Sequence, residues 1–578
     1  MYKKNTKHRQ PALISAASEL PEKRRKLLKK SWANTFYHEF FSRLDEDIFA
    51  VLYSSEPSRP NVPVNVLVGL EVMKAGFGWS DAELYENYCF NLQVRYALGY
   101  DRLGDGDFAI RTLYYFRERL SQYYLESGIN LLEQGFEKIT DIQIKELQVR
   151  TGMQRMDSTQ IASNIVNTSR LQLLVEAIQR TYRIIREADQ KRLADNFAPY
   201  LKETAGHYTY RVKGKEAVQE HLREVGEVIY RLIAELKATY AAEEPYQVLE
   251  RVFTENFHLI EESISPKENQ ELASASLQSL DDLEASFRTK GKDHYKGYVA
   301  NVTETCEPEN DLQLITKVQV EPNNTDDSKL LIEALPDLTE RTDLDTLYTD
   351  GGYGSPSADM AHQAYNIKHV QTAIRGRKQN TDKLYLSDFN IEFDADSNPA
   401  AITCPKGQVV SVQPSQHKKA WVAHFATEIC AACPLVDQCP AHPQKRDPRF
   451  HLRFTQDNAN TAKRRRQSQK QQQEGRNLRA AVEATMRSIK HPFPAGKLPV
   501  RGKFRVTCLL VSSAAMTNIR RIQRFMEPKW KDQNQLESKE NKQNSIQKKL
   551  RYSFFCFIQR VFRYKIPSIC VLYPRLNF

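Results

Sequence analysis

Several common features are missing from this 578-residue sequence, and each absence excludes a class of protein. There is no run of about 18 uncharged apolar residues, so no membrane-spanning helix is predicted. The basic start, MYKKNTKHRQ, is not followed by the apolar core of a secretory signal peptide. The nine cysteines are sparse for this length, and four of them cluster. That pattern favours a reducing cytosol and a metal site over a disulfide framework.

Positive charge, in contrast, is in excess. The net charge is +11 and the pI is near 9.0, which favours a polyanionic partner, either nucleic acid or an anionic membrane surface. The basic residues of the tail 1–30 are either solvated or in contact with the DNA backbone. The length predicts about two to four domains. A hydrophobic content of 40% is enough for sizeable cores.

A helical N-terminal domain is predicted over 31–145. Its first apolar-periodic helix breaks at Gly76–Gly78, and Ser80 with Glu83 three residues later has the pattern of a capping box. Two helices joined by a short glycine-bearing turn are compatible with a helix-turn-helix, although any helical bundle gives the same pattern. We therefore expect this domain to bind DNA.

The segment 146–526 alternates strands with helices and predicts a mixed α/β sheet flanked by helices. Alternating apolar residues predict two hairpin strands at 296–302 and 312–320. Next comes a predicted helix, Ser328–Leu335, which the preceding polar residues cap. The capping residues are Asn323, Asn324, Asp326 and Asp327.

Two aspartates are predicted to lie at strand ends. Asp157 ends the strand pattern in LQVRTGMQRMD, and Asp350 ends a short strand before the glycines of GGYGSP. Two insertions interrupt the sheet pattern: a charge-rich helical one at 165–290 and a cysteine-rich one at 376–472. The tail 527–578 is low in apolar content over its first part and is expected to be disordered or poorly defined.

The cysteine-rich insertion has the spacing C-x25-C-x2-C-x5-C, formed by Cys404, Cys430, Cys433 and Cys439. A four-thiolate zinc site needs two ligand turns brought together across a loop, and only one half here is a tight CxxC. The cysteines therefore either bind a structural Zn²⁺ or remain reduced and non-ligating. His442 could replace one of the ligands.

A helix is predicted over Arg476–Lys490, and it has two distinct faces. The apolar stripe consists of Leu478, Val482, Met486 and Ile489, and the charged arc of roughly 60° consists of Arg476, Arg479, Glu483 and Lys490. One carboxylate among three cations is either a solvated row of ion pairs or part of a functional site. Two aspartates at strand ends, earlier in the chain, favour the second interpretation.

These motifs together resemble the bacterial insertion-sequence transposases of the DDE class, in the group with a cysteine-containing insertion before the catalytic glutamate. MDST at 156–159 is similar to the first aspartate motif, and YTDGGYG at 348–354 is similar to the second. Arg479, Glu483 and Lys490 match the family's Tyr-x2-Arg-x3-Glu-x6-Lys signature, but Arg476 stands in place of the tyrosine. The resemblance covers most of 45–525 and implies a ribonuclease H-like fold.

The resemblance further implies a metal-dependent DNA transposase, in which Asp157, Asp350 and Glu483 hold Mg²⁺ or Mn²⁺. Two hard cations about 3.5–4 Å apart can activate the attacking oxygen and stabilise the leaving oxygen at a phosphodiester. The basic residues Arg476, Arg479 and Lys490 would then reduce repulsion among the acids or hold DNA phosphates.

The partners implied by the resemblance are double-stranded DNA, as terminal inverted repeats and target, and further copies of the chain in a homodimer or larger assembly. A cytoplasmic, nucleoid-associated location is expected. Two alternatives remain: a catalytically inactive transposase derivative that only binds DNA, and a metal-dependent nuclease of the same fold without strand transfer.

Overall fold

The computed structural model of the chain describes residues 1–10, 15–54, 56, 59–102, 104–201, 212–261, 263–372, 380, 382–394, 398–415, 420–444, 447–473 and 480–528. The expectations for Arg476, Arg479, Leu478 and the tail from 529 onward lie outside these residues. Among the helices in the described ranges, none has the length and apolar character needed to cross a membrane.

The N-terminal part is helical, as predicted. Its helices are α1 (Glu22–Lys29), α2 (Trp32–Glu39), α3 (Val64–Phe77), α4 (Asp81–Phe90), α5 (Leu92–Ala97), α6 (Arg111–Ser127) and α7 (Leu131–Glu146). The predicted capping box is present, because Ser80 and Glu83 exchange side-chain and backbone hydrogen bonds at the start of α4. Helix α3 ends at Gly78, which has a φ of +71°. A side chain there would overlap the carbonyl oxygen of Pro492.

Strand β1 (Met153–Ile161) leads into the helical insertion. The insertion contains α8 (Arg170–Ile184), α9 (Glu187–Arg192), α10 (Ala194–Phe197), α11 (Lys215–Tyr240) and α12 (Glu244–Asn256), followed by the hairpin of β2 (Phe257–Ile260) and β3 (Ser263–Pro266). It has a separate hydrophobic core, in which residues such as Leu174, Val225 and Leu249 are almost completely buried.

The main sheet combines antiparallel and parallel strands. The remaining strands of this sheet are β4 (Ser286–Lys290), β5 (Asp293–Thr305), β6 (Ile315–Pro322), β7 (Thr346–Thr349) and β8 (Lys368–Gln371). Strand β5 pairs antiparallel with β4, β6 and β1, whereas β1, β7 and β8 run parallel. Helices α13 (Asp327–Arg341) and α14 (Pro356–Ala364) connect the later strands. This mixed α/β architecture is consistent with a ribonuclease H-like DDE domain.

Two predicted element boundaries are wrong. Asp157 lies inside β1 rather than at its end. The pairing of β1 with β7 stops at Arg155, but the pairing of β1 with β5 continues to Ile161. Helix α13 continues past Pro336, although proline removes a hydrogen bond from the helical ladder. Leu335 and Leu338 on either side are completely buried, so packing outweighs the local penalty.

The cysteine-rich insertion is built on a second sheet, which the sequence analysis did not predict. Its strands are β9 (Asn390–Phe393), β10 (Pro399–Thr403), β11 (Val409–Pro414), β12 (Ala420–Phe425), β13 (His442–Gln444) and β14 (Asp447–Thr455), in the order β13-β14-β12-β11-β10-β9. The neighbouring strands are antiparallel. Two helices accompany this sheet: α15 (Thr427–Ala431) and α16 (Gln456–Gln473).

The last two helices return the chain to the main sheet. Helix α17 (Ala480–Lys490) packs on β1 and β5, and α18 covers 503–528. Met486 and Ile489 of α17 share one hydrophobic core with α18 and the N-terminal helices. This continuous core fixes α17 against the sheet.

Candidate active site

The alternation of side chains along β1 directs neighbouring residues to opposite faces of the main sheet. Thr159 contacts Lys490 of α17, so Asp157, two residues earlier, lies on the same face. Ser158 points the other way and donates a hydrogen bond from its hydroxyl to Asp327 at 2.8 Å. Asp157 is only 6% exposed, and its carboxylate accepts the backbone N–H of Ser158 at 3.0 Å.

A cleft of about 520 Å³ lies between β1 and α17. Its lining includes Asp157 from the strand and Glu483 from the exposed face of the helix. The basic residues Arg487 and Lys490 line it as well. The predicted apolar stripe of α17 is confirmed for Val482, Met486 and Ile489, all of which are buried. Glu483 therefore faces the cleft because its helix packs on the opposite side.

Lys490 links α17 to β1 through hydrogen bonds. Its ammonium group donates to the hydroxyl of Thr159 at 2.8 Å and to the backbone carbonyl of Gln160 at 3.3 Å. Burial lowers the pKa of Lys490, because a charged amine loses hydration when it is removed from water.

Asp350 directly follows β7, as predicted. Its side chain accepts the backbone N–H of Gly352 at 2.7 Å and caps a short 3-10 helix, Gly351–Tyr353. Asp350 is not among the residues that line the cleft. The carboxylate oxygens of Asp157, Asp350 and Glu483 do not all lie within 4.8 Å of one another.

Tyr353 ends the short 3-10 helix that Asp350 caps. The ring is completely buried, and its hydroxyl donates to Asn301 at 2.7 Å. Burial raises the pKa of Tyr353 well above its ordinary value, and the nearby carboxylates of Asp327, Asp157 and Asp350 raise it further. The hydroxyl of Tyr353 therefore lies in the electrostatic field of three carboxylates, of which that of Asp327 has the largest effect.

Asp327 is the acidic residue that the sequence analysis assigned only to helix capping. The N-cap of α13 is Asp326, and Asp327 is 6% exposed. It accepts the hydroxyl of Ser158 and lies 3.6 Å from Arg288. A side chain at Gly352 would meet the carboxylates of both Asp327 and Asp350. Two adjacent acids at a helix start gave no signal that would have distinguished the capping residue from the buried one.

A buried ion network lies beneath α17. Glu304 of β5 is completely buried and accepts Arg155 of β1 at 2.6 Å. Its other oxygen contacts Arg521 of α18 at 2.7 Å and accepts the hydroxyl of Thr485 at 2.7 Å. Thr485 is two residues from Glu483, so this network positions the helix that carries the predicted catalytic glutamate.

The four cysteines of the insertion line one small apolar cavity, together with Phe425 and Phe450. The cysteines are not joined by disulfides. Burial, followed by the other thiols of the cluster, raises the pKa of Cys430. Four thiols converge on one place, although no three of the sulfur atoms lie within 4.8 Å of one another. His442, the alternative ligand, is exposed on β13.

Comparison with known protein families places one segment of the chain in a described family model. Residues 403–523 match the family model described as "Transposase DDE domain". No protein with a curated description and no solved structure matches the chain. The matched segment contains the four cysteines, Glu483 and Lys490, whereas Asp157 and Asp350 precede it. This similarity supports a DDE transposase, a family that implies metal-dependent nuclease and transferase chemistry on DNA.

Proposed function

We propose that this chain is a bacterial insertion-sequence transposase that cuts the ends of its element and joins them to target DNA. The observation that supports this best is the cleft between β1 and α17, which Asp157 and Glu483 line together. A strand and a packed helix are rigid supports for two acidic residues.

The carboxylates of Asp157, Asp350 and Glu483 fit hard divalent cations such as Mg²⁺ or Mn²⁺, which prefer oxygen ligands. Cations held there would activate the attacking oxygen and stabilise the leaving oxygen of a phosphodiester. In a site with two cations about 3.5–4 Å apart, different acids bind different cations, so the three carboxylates need not all be in contact with one another. The wider separation of the three acids is therefore compatible with this site.

The basic residues of α17 have different roles in this proposal. Lys490 holds the helix to β1 through Thr159, whereas Arg487 lines the cleft and is exposed, so that it can contact a DNA phosphate. Arg476 and Arg479 are proposed to extend this phosphate-binding surface.

The cysteine cluster is proposed to bind a structural Zn²⁺. Thiolates at Cys404, Cys430, Cys433 and Cys439 would provide the tetrahedral set that such sites use. Because the sulfur atoms are more widely spaced than in a closed site, binding would draw the turn after β10 toward the CxxC segment. This closure would stabilise the insertion that precedes the Glu483 helix.

Double-stranded DNA is the proposed partner, with the N-terminal helices and the basic tail 1–30 recognising the terminal inverted repeats. Two DNA ends must be held together for joining, so we propose that the protein acts as a homodimer or larger assembly at the bacterial nucleoid.

The direct test incubates the purified chain with DNA that carries the ends of the element, with and without Mg²⁺. We expect Asp157→Asn, Asp350→Asn and Glu483→Gln each to abolish cleavage and to leave DNA binding intact. Asp293→Asn and Glu333→Gln, which change exposed acids outside the cleft, are the matched controls. If any of the three variants cleaves at the unaltered rate, the assignment of that residue is wrong.

The alternative is a catalytically inactive transposase derivative that binds DNA without cutting it. The observation that favours it is that Asp350 does not line the cleft that Asp157 and Glu483 share. The same experiment decides between the two functions, because an inactive derivative would bind the DNA ends in Mg²⁺ and release no cut product. Cleavage without joining to target DNA would instead indicate a nuclease.

A further inference from the structure

Two histidines and an aspartate form a compact cluster in the second sheet, away from the cysteines. His424, Asp447 and His451 each offer one ligand atom, and these atoms all lie within 4.8 Å of one another. Among the residues that the structure describes, this is the single group of three metal-ligating side chains that meets this distance. Neither the matched family description nor the sequence motifs assign it a role.

The backbone register explains why the three side chains meet. His424 of β12 is paired directly with His451 of β14, and their ring centroids are 4.4 Å apart. Asp447 lies four residues before His451 on the same strand, so both side chains project from the same face. The cluster is therefore held by an antiparallel pair of strands rather than by flexible loops.

The ring nitrogens of the two histidines, unlike the oxygens of Asp447, are not all satisfied by hydrogen bonds. Nε2 of His451 lies 3.0 Å from an oxygen of Asp447, yet the pair lacks hydrogen-bond geometry. Both ring nitrogens of His451 and Nδ1 of His424 are buried without a hydrogen-bond partner. Leaving such atoms unsatisfied is costly. A shared cation would bind one nitrogen of each ring.

The chemistry of the donors selects the kind of cation. Two imidazoles and one carboxylate suit Zn²⁺ and related transition metals better than Mg²⁺. Burial lowers the pKa of His424, and neighbouring His451 lowers it further, which favours the neutral imidazole that a metal requires. Arg449 donates to both oxygens of Asp447 and lowers the pKa of that carboxyl, so the carboxylate stays ionised.

We propose that His424, Asp447 and His451 form a second zinc site in the insertion, separate from the cysteine cluster. The two sites lie on opposite faces of one sheet, because Phe425 and Phe450, the chain neighbours of the two histidines, line the cysteine cavity. His442 is paired with His451 from the other side and lies on the same face, where it is a candidate for a fourth ligand. Zinc here would link β12 to β14.

The test measures zinc bound to the full-length chain after removal of metal by chelation and reloading with Zn²⁺ alone. We expect about two zinc ions per unaltered chain, one at each site. His451→Gln and His424→Gln should each remove about one, and His258→Gln, at a partly exposed histidine outside the cluster, should remove none. Unchanged zinc content in both cluster variants would overturn the proposal.

A second measurement covers the case in which these variants do not fold. Cys433→Ser is loaded with Co²⁺, and its absorption spectrum is recorded. Cobalt held by imidazole and carboxylate absorbs without the sulfur-to-metal charge-transfer band that thiolate ligands give. A Co²⁺ spectrum of this kind supports the histidine site even if the cysteines bind nothing. Absence of any bound cobalt in this variant overturns it.

Discussion

The ammonium group of Lys490 donates a hydrogen bond to the hydroxyl of Thr159 across 331 residues of sequence. Thr159 is two residues beyond Asp157 on β1, and Lys490 is two turns beyond Glu483 on α17. This contact therefore joins the two elements whose acids line the cleft. The position of Glu483 relative to Asp157 depends on it.

Lys490→Met removes this contact while it keeps the length of the side chain. We expect the rate of DNA cleavage to fall by roughly 10- to 100-fold, because a small displacement of a catalytic group has effects of that order. DNA binding should change little. Lys237→Met, at an exposed lysine of α11, is the matched control. A rate equal to that of the control would mean that the contact does not position α17.

Asp327→Asn tests the buried acid that accepts the Ser158 hydroxyl and lies beside Asp350. We expect the Mg²⁺ concentration for half-maximal cleavage to rise by about 10- to 100-fold, as is typical when a residue that supports metal ligands is lost. Asp293→Asn, which makes the same change at an exposed aspartate, is the matched control. The measurement is a Mg²⁺ titration of cleavage; superimposable curves for the two variants would contradict a supporting role.

Glu304→Leu removes the carboxylate that neutralises Arg155 and Arg521 beneath α17. We expect a loss of roughly 3–5 kcal/mol in the free energy of unfolding, because the buried guanidinium of Arg155 and the half-buried one of Arg521 both lose the charge of Glu304. The double variant Arg155→Met, Glu304→Leu should lose less than the sum of its single variants. Thermal unfolding of all three checks this, with Glu187→Gln at an exposed ion pair as the control. If the loss of stability in the double variant equals the sum of the losses in the two single variants, Arg155 and Glu304 are not energetically coupled.

Two stacked histidines, His362 of α14 and His369 of β8, predict loss of stability in acid. Burial lowers the pKa of His362 to about 4 and lowers that of His369 well below its ordinary value. The unfolded chain takes up protons near pH 6.5, so the neutral rings stabilise the fold above that pH. This stabilisation is lost as the pH falls toward about 4, by roughly 3 kcal/mol for His362.

His362→Phe keeps a stacked ring that cannot titrate. We expect a smaller decrease in the unfolding temperature between pH 7.5 and pH 5 than in the unaltered chain. His258→Gln, at a partly exposed histidine, should leave the decrease as it is. If the unfolding temperature of the His362 variant falls between pH 7.5 and pH 5 as much as that of the unaltered chain, protonation of His362 is not the cause of the acid sensitivity.

The local features of this protein were determined by its sequence. The capping box of Ser80 and Glu83, the turn after Gly78 and the buried stripe of Val482, Met486 and Ile489 all follow from residues within a few positions of one another. Asp350 was predicted after a strand because glycines directly follow it. Such patterns report on hydrogen bonds and periodicities that one segment satisfies alone.

Only the tertiary structure decided which distant residues meet. Asp157 lies inside its strand because β5 supplies backbone partners from more than 130 residues away. Asp327 became a buried neighbour of Ser158, while the adjacent Asp326 took the N-cap. His424 and His451 share a site because β12 and β14 pair in one register. These contacts depend on strand pairing and packing between elements, which the pattern of a single segment does not encode.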